Sequence, residues 1–185
     1  MKNILTLILL AAVAALNAQV ILGDAAGTAA DKSSVLLEFS ANQNKGIIVP
    51  YVRALPTAAA LVGGAIILDA TSPTAARMKY YNGTTWIDLS GQDADVTSAL
   101  GNQPTILQAP ENPASKAIIG ARTSSADGVL VLESNTKAMV LPQVGKVSDI
   151  PSPSPGMIVY VNGVFPDFNK RLAVFNGSKW SYWKP

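Results

Sequence analysis

The sequence of 185 residues contains no cysteine and no histidine. Disulfide bonds, His/Cys zinc sites and Ser-His or Cys-His nucleophiles are therefore excluded. Aromatic residues (6%) and charged residues (14%) are also few, whereas 49% of the chain is hydrophobic. A chain without disulfides depends on burial or assembly for its stability, and such an apolar, weakly charged composition is typical of proteins that pack against copies of themselves.

The acidic residues offer no convincing reaction centre. The glutamates are Glu38, Glu111 and Glu133, and we interpret Glu38 and Glu133 as equivalent positions of a repeat rather than as one carboxylate pair. The segment Asp93-Ala94-Asp95 has the ligand spacing of the start of a calcium loop, but it lacks the glycine and distant glutamate of an EF-hand. We predict no catalytic residue, no cofactor and no metal site, and therefore no enzyme.

The first residues have the pattern of a secretory signal peptide. Lys2 precedes an apolar run that ends at Asn17-Ala18-Gln19, which predicts cleavage after Ala18. A retained anchor is the alternative, but the run is shorter than the roughly 20 apolar residues that span a bilayer. We predict a protein that is secreted or lies on the surface of a bacterium, with no stable membrane span after cleavage. Without Lys2, 13 basic residues face 12 acidic ones, so no nucleic-acid partner is indicated.

The chain contains an internal repeat, which is the strongest pattern in the sequence. Four pairs of identical residues are each 92 positions apart (137 minus 45): Lys45 and Lys137, Pro50 and Pro142, Val52 and Val144, and Gly64 and Gly156. We predict a signal peptide (1–18), a first repeat (19–90), a linker (91–115) and a second repeat (116–185). Because the apolar runs are short and bounded by turn residues, we predict an all-β fold of two tandem β-modules, each a small sandwich or prism-like sheet.

Each repeat ends in a sequence that predicts a hairpin. Asn82-Gly83 and Asn176-Gly177 are flanked by aromatic and β-branched residues, which is typical of a two-residue type I′ loop. That loop would place Tyr81 opposite Thr84. Trp86 and Trp180 recur at the same position of the hairpin, and we interpret them as closing a small core, although a sugar-stacking role is the alternative.

Two further sites are candidates for contact with a partner. The apolar segment Val20, Ile21 and Leu22 follows the cleavage site, and we predict that it donates a strand to a neighbouring subunit. Trp183 has no counterpart in the first repeat, so we predict that it meets a ligand or a neighbouring subunit.

The same residues resemble a known family. The order of Lys45-Gly46, an apolar strand that ends at Pro50, a strand led by Gly64 and the hairpin of Tyr81-Asn82-Gly83 and Trp86 is similar to a module of phage tail-fibre-like proteins and secreted bacterial surface proteins. Both repeats follow this order, although the second has Ala138 in place of the glycine. The resemblance implies a β-rich, assembling, extracellular fibre element without catalysis.

Together these observations predict a structural subunit of an extracellular filament, a fimbria-like or adhesive appendage that assembles by strand pairing between subunits. Copies of the chain itself are its predicted partners, either in an open homo-polymer or, as the alternative, in a homotrimeric tail-fibre-like adhesin. A soluble carbohydrate-binding module, with host or surface glycans as partners, is the third interpretation.

Overall fold

The computed structural model describes residues 19–57, 61–104, 107–110, 112, 115–164 and 169–183. The predicted signal peptide lies outside the described residues. Within them the strands are β1 Val20–Leu22, β2 Val35–Phe39, β3 Ile47–Ile48, β4 Tyr51–Val52, β5 Ile66–Asp69, β6 Arg77–Tyr81, β7 Trp86–Asp88, β8 Ala117–Ile119, β9 Leu130–Leu132, β10 Ala138–Met139, β11 Gln143–Val144, β12 Met157–Val161, β13 Arg171–Phe175 and β14 Trp180–Tyr182. A short helix, α1, spans Thr97–Gly101, and a 3-10 turn spans Val147–Asp149.

The described chain is mostly β and winds as a β-solenoid of about eight turns. The prediction of mostly β structure is confirmed, but the prediction of two tandem sandwich or prism-like modules is wrong. Successive strands such as β1 and β2, or β4 and β5, pair in parallel. A parallel pair needs a crossover connection instead of a hairpin, and this connection winds the chain into successive turns. The predicted boundaries of the repeats and of the linker stay a prediction.

The order and pairing of the strands repeat along the chain. The parallel pair β1–β2 is matched by β8–β9, and β4–β5 is matched by β11–β12. The antiparallel run β5–β6–β7 is matched by β12–β13–β14. In the ladders, Leu37 lies opposite Val20 and Leu130 lies opposite Ala117, so Leu37 and Leu130 are equivalent. The same alignment pairs Glu133 with Ser40 and not with Glu38, which corrects the equivalence inferred from the sequence.

The two hairpins have wider loops than the sequence predicted. Tyr81 lies opposite Trp86, and Phe175 lies opposite Trp180, so each loop contains four residues instead of two. A type I′ loop needs positive φ at both central residues, but here Gly83 has positive φ (98°) and Asn82 does not. The Asn82 side chain instead accepts hydrogen bonds from the backbone N–H groups of Thr84 (2.9 Å) and Thr85 (2.8 Å).

Strands of one repeat also pair with strands of the other. β10 of the second repeat completes the sheet β1–β2–β10, and β3 of the first repeat pairs with β12 of the second. The buried core consists of two clusters. A central cluster contains residues of both repeats and of the segment 91–115 between them: Val49, Leu68, Ala70, Ala76, Met78, Ala94, Val96, Leu100, Ile158 and Val174. A second cluster lies within the second repeat: Val144, Ile150, Met157, Val159, Val161 and Ala173. The two repeats are therefore interlocked.

Candidate assembly surface

The strands β3 and β10 occupy equivalent places in the two repeats, yet they use opposite edges. The N–H of Val49, at the end of β3, donates to the carbonyl of Gly156 beside β12 (3.1 Å). In β10, the N–H groups of Ala138 and Val140 donate to Ser34 and Leu37 (both 2.8 Å). Successive backbone groups of a strand point to opposite sides. Within the described residues, each strand therefore leaves unpaired the edge that its equivalent uses.

The antiparallel pairing of β3 with β12 brings the two backbones close together. A Cβ atom placed on Gly46 would lie 2.4 Å from Met157 Cγ and 2.9 Å from the carbonyl oxygen of Ile158. The hydroxyl of Tyr51, in the neighbouring strand β4, donates to the carbonyl of Pro155 (2.6 Å). This bond also holds the first repeat against the second beside the β3–β12 pair. Burial raises the pKa of this tyrosine, so it remains a neutral donor at ordinary pH.

The strand that receives β10 is held by a buried carboxylate. Glu38 in β2 is fully buried and accepts hydrogen bonds from the side chains of Lys32 and Gln19 (both 2.5 Å) and from the backbone N–H of Ala29 (3.0 Å). Burial alone would raise the pKa of Glu38, but the hydrogen bonds and the charge of Lys32 outweigh it and lower the pKa. The carboxylate is therefore ionised at neutral pH and anchors the loop before β2 to that strand.

No described strand covers the equivalent strand in the second repeat, β9. Leu36 and Leu37 of β2, under β10, are 3% and 1% exposed, whereas their equivalents Val129 and Leu130 are 72% and 49% exposed. Among the described residues, β9 pairs with β8 alone. The N–H and C=O groups of Leu130 point away from β8, because the ladder uses Val129 and Glu133 on the other edge. An apolar strand edge of this kind is a template for another chain.

A matching open edge lies on β3. Ile48, whose N–H points away from β12, is 50% exposed. In the second repeat its equivalent, Val140, is the residue that bonds to Leu37. We call the outward edges of β3 and β9 the open edges.

The predicted strand donor lies at the margin of a sheet. Val20, Ile21 and Leu22 form β1, which pairs in parallel with β2 of the same chain. This edge of β1 is therefore occupied within one chain, and its other edge faces outward. The role of these residues as a donor to a neighbour stays a prediction.

The predicted aromatic site and hairpin residues are separate from one another. Trp183 follows β14, is 63% exposed, and its N–H donates to the carbonyl of Leu172 (3.0 Å). Its structural equivalent, Leu89, makes the same bond to Met78 (2.8 Å) and packs on the central cluster. Trp183 therefore has a counterpart after all, although a less exposed one.

Both hairpins place their tryptophan against an aromatic ring. The ring centroids of Tyr81 and Trp86 are 5.4 Å apart, and those of Phe175 and Trp180 are 5.2 Å apart. Asn176 is fully buried, and its side chain also donates to the carbonyl of Gln92 (2.8 Å). Gly177 lies in the loop with positive φ, as Gly83 does.

The described residues were searched for metal-binding groups and for membrane-spanning helices. Those residues contain no group of three or more acidic side chains arranged to hold a metal ion. Among the described helices, none has the length and hydropathy to cross a bilayer.

Sequence reasoning missed the pairing between repeats. One signal was present: Pro50 and Pro142 lack an amide donor and divide each apolar run into two short strands. The first of these short strands is then able to leave its own repeat and pair elsewhere.

Comparison with known protein families gives a match in the second half of the chain. Residues 118–184 match a family described as phage tail like trimerisation region. Neither the curated proteins nor the solved structures gave a significant match. The second repeat, which includes β9, is therefore similar to a phage tail-like trimerisation region, and in this chain that region is part of a β-solenoid. The similarity indicates self-association as a homotrimer.

Proposed function

We propose that the chain is a subunit of a trimeric, fibre-like adhesin on the outside of a bacterial cell, and that it acts by assembly instead of by catalysis. The match of residues 118–184 to a trimerisation region carries this proposal. The interlocked strands support it, because a chain whose repeats already pair with each other has edges suited to further copies. The apolar signal-like sequence before residue 19 supports the extracellular location.

The open filament that the sequence favoured is less well supported than the trimer. A head-to-tail contact closes into a ring when its rotation permits and otherwise propagates. A match to a trimerisation region favours closure at three copies.

Native mass spectrometry of the mature chain, residues 19–185, tests the proposal over a range of concentrations. We expect a species of three chains whose mass does not grow as the concentration rises. A monomer at every concentration would contradict the proposal. Masses that grow without limit, with filaments in negative-stain electron microscopy, would replace the trimer with the open polymer.

A further inference from the structure

The internal repeat shows what covers each open edge. β10 pairs through Ala138 and Val140 with β2, whereas no strand in the described part of the chain pairs with the equivalent groups of β3, those of Gly46 and Ile48. β2 is covered by β10, whereas its equivalent β9 has no such cover from the strands that the structure describes. The open edge of β3 therefore presents the same backbone groups to a partner as β10 presents to β2, and β9 is the equivalent of β2. One chain contains both halves of this contact but does not join them.

We infer that β3 of a second copy of this chain pairs in parallel with β9, in the register that β10 shows on β2. This inference rests on the proposed self-association and names its contact. The N–H of Ile48 in one copy donates to the carbonyl of Leu130 in the other, as Val140 donates to Leu37 within the chain. Ile47 then lies opposite Leu130, as Met139 lies opposite Leu37.

A second contact follows from the same relation. β12 receives β3 at Gly156 and Ile158, but the equivalent residues of β5, Gly64 and Ile66, receive no strand on that side from the described segments. The edge of β10 that corresponds to the edge by which β3 pairs with β12 has no partner among the described strands. When β3 of the second copy lies on β9, the β5 strand of that copy comes to β10. The neighbour is thus related to the second repeat as the second repeat is related to the first.

Burial agrees with this arrangement. The exposed apolar residues of the contact, Ile48, Val129 and Leu130, are 49% exposed or more, and Leu36 and Leu37 show that a pairing strand removes such exposure almost completely. The contact is heterologous, since one copy supplies β3 and the other supplies β9, so three copies satisfy all such edges only in a closed cycle.

The absence of cysteine makes a direct cross-linking test clean. One chain carries Ile47→Cys, and a second, size-tagged chain carries Leu130→Cys; the two are co-expressed, purified and oxidised. We expect a disulfide-linked pair of the two different chains on a non-reducing gel. As a matched control, Met139→Cys with Leu37→Cys in a single chain forms a disulfide within that chain, because these residues are partners in the structure.

Proline variants test the same edge by assembly. Ile48→Pro removes an N–H that no described strand of its own chain uses, and Ile21→Pro does the same on the outward edge of β1. We expect Ile48→Pro to abolish the trimer in native mass spectrometry, with the β-sheet circular dichroism retained. Ile21→Pro tests the competing prediction that β1 donates a strand to a neighbour, and the contact inferred here requires that it leave the trimer intact.

The outcomes separate this inference from the proposed function. If the wild-type chain is trimeric but the Ile47→Cys and Leu130→Cys chains do not cross-link, the inferred contact is wrong and the trimer stands. If Ile21→Pro and not Ile48→Pro abolishes the trimer, the contact lies on β1 and the inference is overturned. A monomeric wild-type chain overturns the proposed function itself.

Discussion

Replacing Gly46 with alanine tests the interlocking of the two repeats. The added Cβ would lie 2.4 Å from Met157 Cγ, 2.8 Å from Val159 Cγ1 and 2.9 Å from the Ile158 carbonyl oxygen, whereas unstrained carbon atoms approach to about 3.5–4.0 Å. The Met157 side chain can rotate away. The Ile158 carbonyl cannot, because it belongs to the strand with which β3 pairs, so the strands must separate slightly.

The expected cost follows from two opposing terms. Overpacking of this kind costs about 1–3 kcal/mol, and the lower backbone freedom of alanine in the unfolded chain offsets about 0.4–1 kcal/mol of it. We expect Gly46→Ala to lower the free energy of unfolding by about 1–2 kcal/mol, which for a chain of this size corresponds to about 2–8 °C in Tm. Urea and thermal unfolding followed by circular dichroism measure both quantities.

The control is Gly101→Ala at the end of α1. A Cβ there meets no atom within 4 Å, so we expect no loss of stability and a gain of up to about 1 kcal/mol. Adding Met157→Ala to Gly46→Ala removes the nearest colliding atom, and we expect the double variant to be more stable than the sum of the two single effects. If Gly46→Ala is as stable as Gly101→Ala, then β3 does not pair with β12 and the interlocked arrangement is wrong.

Two further predictions concern buried polar side chains. Asn176→Ala removes the donor to the Gln92 carbonyl, so we expect it to cost about 1–3 kcal/mol more in urea unfolding than Asn82→Ala on the exposed equivalent loop. The lowered pKa of Glu38 means that its ion pair with Lys32 stabilises the fold above the ordinary glutamate pKa of 4.5, and that this stability is lost as the pH falls through the lower, folded-state pKa. Urea midpoints of the wild type should therefore fall more steeply below pH 4.5 than those of Glu38→Gln, and parallel pH curves would contradict this.

Local features of the fold were predictable from the sequence because they depend on nearby residues. Pro50 lacks an amide donor, and the strand ends beside it as expected. The loop lengths were not, because the choice between a two-residue and a four-residue loop at Asn82 depends on whether its side chain or its backbone satisfies the turn. A sequence shows that Asn82 can do both, but not which it does.

The candidate assembly surface was less predictable, since it depends on contacts between distant residues. β3 contains two residues, and such a short strand has no periodicity from which to read a partner. Its position is decided by the space that Gly46 leaves over Met157 and by the Tyr51 hydroxyl. Exposure of Leu130 beside burial of Leu37 appears only when the two repeats are compared in three dimensions.

The contacts of β3 and β4 with the second repeat also have a consequence for biosynthesis. Tyr51 and its acceptor Pro155 are 104 residues apart in the chain. At a synthesis rate of about 5–20 residues per second, roughly 5–20 s separate the appearance of these two residues. During this interval the apolar segment around Ile48 has been made but its partner strand has not. The nascent chain therefore presents an unpaired β edge for many seconds, which is a window in which a chaperone can bind it or a premature contact with another nascent chain can form.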